Sequence, residues 1–309
     1  MKRIFILLAA VACALSACAA QSMNGTGGVN IVCTSFPPYD FARNIAGENA
    51  SVRMLVPPGS DTHSYDPTPS DIIAVSNADI FVYGGGESDE WANEILNSAD
   101  KRPDKIISMT ELVNTYYEEL KEGMEGEEEG EIDEHVWTSP KNAEAICNSI
   151  ADALCESDAD NEQIYRDNLA EYTARLEELD KSFRDIASNA DRKTLVSGDR
   201  FPFRYFTEEY GLDYYAAFPG CAEMTEPSAK TVAFLIDKVN EEKIPLVLYT
   251  EFSNHKICDT IAAATGANIG LLHSCHNLTK QEFESGDGYI EIMQRNTEVL
   301  KEALGNAAD

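Results

Sequence analysis

Residues 193–218 read KTLVSGDRFPFRYFTEEYGLDYYAAF. Lys193–Ser197 is a short apolar, β-rich run, Phe203–Tyr210 has a helical pattern, and Leu212–Phe218 is again β-rich. Strand, helix and strand in so short a span imply two parallel strands joined by a helical crossover. The same alternation extends in both directions. Further strands are expected at Asn30–Ser35, Val52–Val56, Ile80–Tyr83 and Lys105–Met109, then at Leu246–Thr250 and Asn268–Leu272. Helical stretches lie at Ser70–Ala78, Asp89–Leu96, Ser228–Glu242 and Asn254–Ala264, with a closing helix over about Gly288–Ala303. Four strands precede a long gap and four follow it. The fold class is therefore α/β, with two parallel-sheet lobes of similar design.

The gap itself is helical. Lys141 to Asn189 contains neither Pro nor Gly, and Tyr165, Leu169, Tyr172, Leu176, Leu179, Phe183 and Ile186 recur at spacings of four and three. Unbroken, this segment would run on the order of 70 Å, with a break possible at Ser157–Asn161 (SDADN). The regular pattern is too short for a convincing coiled coil. A backbone helix joining the lobes fits it better.

The N-terminus reads as an export signal. Lys2 and Arg3 precede an apolar stretch too short to span a bilayer, and Leu15-Ser16-Ala17-Cys18 resembles a lipobox. Cys18 is expected to be the acylated mature N-terminus and a membrane anchor, followed by a flexible tether. The expected organisation is signal peptide 1–17, tether 18–28, N-terminal lobe 29–138 with an acidic loop 118–134, linking helix 139–190 and C-terminal lobe 191–309. A formal charge of −30 argues against a nucleic-acid partner. Export permits disulfides, and Cys221 with Cys275 forms the most plausible pair.

The five histidines are His63, His135, His255, His273 and His276. His63, His135 and His273 each follow an expected strand, where the ligand crevice of an open α/β sheet lies. Glu118–Glu134 has ten carboxylates and one lysine, a composition that does not fold on its own and suggests a mobile cation-gathering loop. Gly84-Gly85-Gly86 lacks the companions of a phosphate loop and reads as a turn.

The stretches TSFPPYDFARNIAG (34–47), MLVPPGSDTHSYDPTPSDI (54–72), DEHVWTSPKNA (133–143), RYFTEEYGL (204–212) and EPSAKTVAFLIDKV (226–239) resemble the zinc- and manganese-binding ABC-transporter substrate-binding lipoproteins. The resemblance covers nearly all of the mature chain. It implies two lobes joined by a long rigid helix, a metal in the interdomain cleft, and delivery to a membrane permease driven by an ATPase. It implies His63 and His135 as ligands. At the usual third position this chain has Arg200, which cannot ligate. Asp199 is a possible substitute. The fourth position falls to His273, and Glu251 either coordinates or pairs with Arg200. His276 and Cys275 are read as supporting residues or as part of a second cluster. Three imidazoles favour Zn²⁺ over Mn²⁺. A zinc-dependent hydrolase is the alternative from another class, and cleft size discriminates it. A monomer is expected, and it is not expected to be an enzyme.

Overall fold

The computed structural model describes residues 28–98, 101–126, 130–222 and 226–305. The signal segment, Cys18 and the tether up to residue 27 lie outside the described residues. Among the described residues no helix is long and apolar enough to cross a membrane.

Each lobe holds one four-stranded parallel sheet. In the first, β1 (Val29–Cys33), β2 (Ala50–Met54), β3 (Ile80–Tyr83) and β4 (Lys105–Ser108) take the order β2-β1-β3-β4. In the second, β5 (Thr194–Phe201), β6 (Asp213–Pro219), β7 (Leu246–Tyr249) and β8 (Asn268–Leu271) repeat it as β6-β5-β7-β8. All eight expected strands are present. The crossover helices are α1 (Phe36–Ala46), α2 (Pro69–Ser76), α3 (Glu90–Ser98), α6 (Arg204–Tyr210), α7 (Ala229–Glu242) and α8 (Lys256–Thr265). In each sheet the order of winding reverses between the two central strands, β1 and β3 or β5 and β7, which opens a crevice at their carboxyl ends.

The segment expected to form one linking helix folds instead as a hairpin. Helix α4 (Pro140–Ser157) packs on α5 (Glu162–Ser188). Asp158 leaves the helical region at φ −146°, ψ 76°. Its carboxylate accepts from Asn161 Nδ2 (2.7 Å) and Tyr165 OH (2.8 Å), which fixes the turn. Helix α5 alone, about 40 Å long, joins the lobes. Near its start Asn168 Nδ2 donates to Ile45 O and Tyr172 OH to Asp40. Further along, Phe183 packs on Phe206 at 4.9 Å and Tyr210 OH donates to Asp180. Helices α9 (Lys280–Ser285) and α10 (Tyr289–Leu304) complete the chain.

Packing unites the lobes. The outer faces of the sheets have separate small cores, one around Val32, Phe81 and Ile95, the other around Val196, Leu235 and Val247. Their inner faces share a single apolar core running from Ile31 and Val82 through Tyr172 and Phe183 to Leu248 and Met293. Each such buried side chain contributes about 1.5–3 kcal/mol.

The acidic loop departs from its composition. Tyr117 and Ile132 form an antiparallel bridge, and Glu118 N–H donates to Glu131 O (2.8 Å). Glu125 N–H donates to Ala217 O, while its carboxylate accepts from Ser228 N–H and the Thr231 hydroxyl at the start of α7. Met124 is buried and Leu120 packs on the shared core. These apolar residues tie the described part of the loop to the second lobe, so it is not the free segment that its charge suggests.

Candidate metal centre

His63 sits on a 3₁₀ turn, Thr62–Ser64, beyond β2, where Asp61 Oδ1 accepts the His63 N–H at 3.0 Å. The preceding Pro57–Ser60 loop is stitched to the far lobe. Asn277 Nδ2 donates to Pro57 O and Ser60 O (2.9 Å each), and Gly59 N–H to Leu278 O. His135 precedes a second 3₁₀ turn, Val136–Thr138. Asp133 Oδ1 accepts its backbone N–H at 2.8 Å and lies 3.0 Å from its Nδ1. A proton on Nδ1 directed at this carboxylate leaves the lone pair on Nε2, the usual way a carboxylate orients a ligand imidazole. His135 Nε2 is buried and has no hydrogen-bond partner.

The third imidazole belongs to His276. After β8 the chain turns through Cys275, whose φ of 61° is left-handed. Strain of this kind concentrates at functional sites. Glu251 holds the turn: it accepts from Ser274 N–H (2.9 Å) and Ser274 Oγ (2.6 Å). Ser274 O in turn accepts from Trp137 Nε1. The His276 ring lies tilted against Trp137, with centroids 4.8 Å apart. The ring centroids of His63, His135 and His276 lie 5.0–5.7 Å apart.

Glu134 completes the group. Its Oε1 is 3.9 Å from His63 Nδ1 and 3.7 Å from His276 Nε2, and its carboxylate accepts from Ser88 N–H and Oγ. Ligating atoms of His63, Glu134, His135 and His276 all fall within 4.8 Å of one another. Tetrahedral zinc with bonds of about 2.0–2.1 Å places its ligands about 3.3 Å apart, so small side-chain shifts would close the set. The cavity lined by His63, His135 and His276 is about 30 Å³, an order of magnitude below the few hundred Å³ or more of organic-ligand pockets.

Electrostatics prepares two of the rings. Burial, then the neighbouring His135 and Arg200, lowers His63 to about 3. Burial, with His63 and His135, also holds His276 well below the usual histidine range. Both are neutral at physiological pH with lone pairs available. Burial alone would lower His135, but Asp133, Glu134 and Glu118 outweigh it and the net shift is upward. Burial pushes the Glu134 carboxyl up to about 7.

The other expected site residues are placed differently. His273 does not join the cluster. Its Nδ1 accepts from Cys275 N–H at 2.9 Å, and its Nε2 lies 3.5 Å from Glu282. Directly after β8 it faces the body of the second lobe, and the left-handed turn carries His276 into the cleft instead. Glu251 borders the cavity, but both its oxygens are committed to Ser274. Arg200 lines the cavity and pairs with Asp61, 3.0 Å away in the other lobe, rather than with Glu251. A register shift in β5 between Ser197 and Arg200 aims it there. Gly198 in that irregularity lies against α8, where a Cβ would stand 2.7 Å from Cys258 Sγ. Asp199 accepts from Arg200 N–H and Thr250 Oγ1. His255 is exposed beside Asp259. Cys221 and Cys275 are both free thiols, so the expected pair does not form.

The family described as zinc-uptake complex component A, periplasmic (ZnuA) matches residues 31–303, and the chain belongs to it. The chain is 30% identical to the high-affinity zinc uptake system protein ZnuA of Bacillus subtilis, over 96% of each. It is also 30% identical to the zinc-binding lipoprotein AdcA of Streptococcus pneumoniae strain R6, over 98% of this chain and 61% of that one. The chain thus spans less than two thirds of the longer AdcA relatives. Among solved structures, the Zn(II)-bound ZnuA-like domain of S. pneumoniae AdcA superposes with a TM-score of 0.77 at 29% identity, covering 90% of this chain and 99% of that one. The metal-dependent lipoprotein YcdH of B. subtilis gives 0.77 at 30% identity, covering 89% and 99%.

Proposed function

We propose that the protein is an extracytoplasmic receptor that binds Zn²⁺ in the interlobe cleft and hands it to an ABC permease and its ATPase. The observation that carries this reading is the convergence of the His63, His135 and His276 imidazoles on a cavity of ion size, with Glu134 in ligand range of them and His135 Nε2 left unpartnered. Imidazole-rich sites suit zinc, and zinc outranks manganese in affinity for a given donor set. The ligands are His63, His135 and His276, with Glu134 as the oxygen donor in place of the position held by Arg200. Membership of a zinc-uptake family supports the transport role, and the lipobox-like LSAC supports anchoring through Cys18 at the membrane surface. The small cavity favours a receptor over a hydrolase, which would require room for substrate beside the metal.

Native mass spectrometry with calorimetric zinc titration tests the reading. One zinc per chain is expected, with affinity lowered at least about a hundredfold in His276→Ala. Undiminished binding by that variant would overturn the ligand set.

A further inference from the structure

We propose that Glu118, Cys221 and the Nδ1 side of His135 form a second, thiolate-bearing site for a zinc-class divalent cation, adjoining the imidazole site. The three side chains offer ligand atoms within 4.8 Å of one another. Cys221 Sγ lies 4.0 Å from His135 Nδ1, and Cys221 N–H donates to Glu118 Oε1 at 3.2 Å. Of the six described cysteines, Cys221 alone falls in such a group. Sulfur, nitrogen and carboxylate oxygen are the donors zinc takes. Close packing holds the thiol loop against the ring: a Cβ on Gly220 would stand 3.2 Å from His135 Nδ1 and 3.0 Å from Pro202 Cα.

The two sites share one imidazole but use opposite nitrogens. A neutral ring has a single lone pair, so an ion on Nδ1 requires the proton on Nε2, and an ion on Nε2 requires it on Nδ1. Asp133, 3.0 Å from Nδ1, stabilises the second arrangement. Occupancy of the sites is therefore alternating. An ion entering at Glu118, on the acidic loop, binds there first, with the Cys221 thiol proton released to solvent. It then passes across the ring to His63 and His276 as the ring proton moves from Nε2 to Nδ1 and the vacated Cys221 thiolate takes a proton back from solvent. The site is a staging position on the way into the cleft. The proposal rests on the imidazole site of His63, His135 and His276 described above.

Cobalt(II) spectroscopy on the full chain tests this. The His276→Ala protein, weakened at the imidazole site, should develop an intense near-ultraviolet thiolate-to-cobalt charge-transfer band. Adding Cys221→Ser should abolish the band. In the same background Glu118→Gln, which keeps the thiol, should raise the cobalt titration midpoint at least about tenfold, and it remains informative if the serine variant fails to fold. No band at saturating cobalt, a band that survives Cys221→Ser, or an unchanged midpoint in Glu118→Gln would each overturn the proposal. Zinc stoichiometry of the parent protein reports separately on the imidazole site, so failure of one reading is distinguishable from failure of the other.

Discussion

Arg200 in the second lobe and Asp61 in the first meet at 3.0 Å across the mouth of the metal cavity. Asp61 also caps the turn that presents His63. One carboxylate thus links a ligand loop to a cation from the opposite lobe, and that cation stands where relatives of this family are expected to place a ligand.

Replacing Arg200 follows from this arrangement. Its positive charge lines a cavity that receives a dication, and mutual repulsion lowers affinity. Arg200→His removes the charge and adds an imidazole. Zinc affinity should rise on the order of tenfold, about 1.4 kcal/mol, as measured by competition with a chelator. A fall in affinity would mean that the Arg200–Asp61 pair is needed to hold His63 in place.

His273 separates structural from ligating histidines. Its ring accepts the Cys275 N–H and is nearly buried. His273→Ala leaves that buried donor unsatisfied and opens a cavity, at a cost of about 2–4 kcal/mol. Urea unfolding should show this loss while zinc affinity changes less than about threefold. A collapse in affinity with stability unchanged would restore His273 as a ligand.

Zinc uptake should release protons near neutrality. His63 and His276 are held neutral, so they contribute none. Glu134 is raised to about 7 by burial, and His135 is raised as well. The zinc-free form therefore carries protons that the zinc-bound form cannot. Affinity should rise with pH through about 7, where Glu134 loses its proton, and go on rising until His135 has lost its own. Calorimetry in buffers of different ionisation enthalpy measures the protons released, and Glu134→Gln should flatten the slope. An unchanged slope in that variant would leave Glu134 outside the coordination.

The strands and both lobes were legible because buried parallel strands are continuous apolar runs bounded by turn residues, a local pattern. The interruption at Asp158 was visible as SDADN, but its result, a hairpin rather than one long helix, depends on α4 finding α5 in space. His63 and His135 stood in distinctive loops. His276 was harder to read: HSCH places two histidines three residues apart, and the left-handed backbone at Cys275, a non-glycine residue, decides which one enters the cleft. Glu134 was hidden in a run of acids, and its burial against Ser88 sets it apart from exposed members such as Glu131. The loop's order was masked in the same way, since its charge outweighs Leu120 and Met124, the apolar residues that anchor it.

The loop's exposed acids should act on rate. Glu119, Glu122 and Glu131 are exposed on this loop and join neither ligand group. Their field raises the local cation concentration, an effect that salt screens. Changing all three to Gln should slow zinc capture several-fold at low ionic strength in stopped-flow, with little change at high salt or in equilibrium affinity. Equal slowing at both ionic strengths would point to a structural effect instead.

Overall shape should hardly change when zinc binds. Asp40, at the heart of α1 in the first lobe, accepts from Tyr172 OH on α5 (2.9 Å) and Tyr289 N–H on α10 (3.0 Å). Tyr289 OH continues to Trp137 O, beside the metal cavity. Burial pushes the Asp40 carboxyl upward, and Arg43 with these two tyrosines opposes the shift. A wide hinge closure would have to break this buried network and part the core shared by both sheets, at several kcal/mol for the polar groups alone. Capture and release therefore fall to the loops bearing His135, Arg200 and His276. Small-angle scattering should give the same radius of gyration with and without zinc. Asp40→Ala, which disconnects the three helices, should lower stability and permit a measurable compaction on loading. A clear compaction in the parent protein would mean that the lobes close on the ion, and the rigid account would fail.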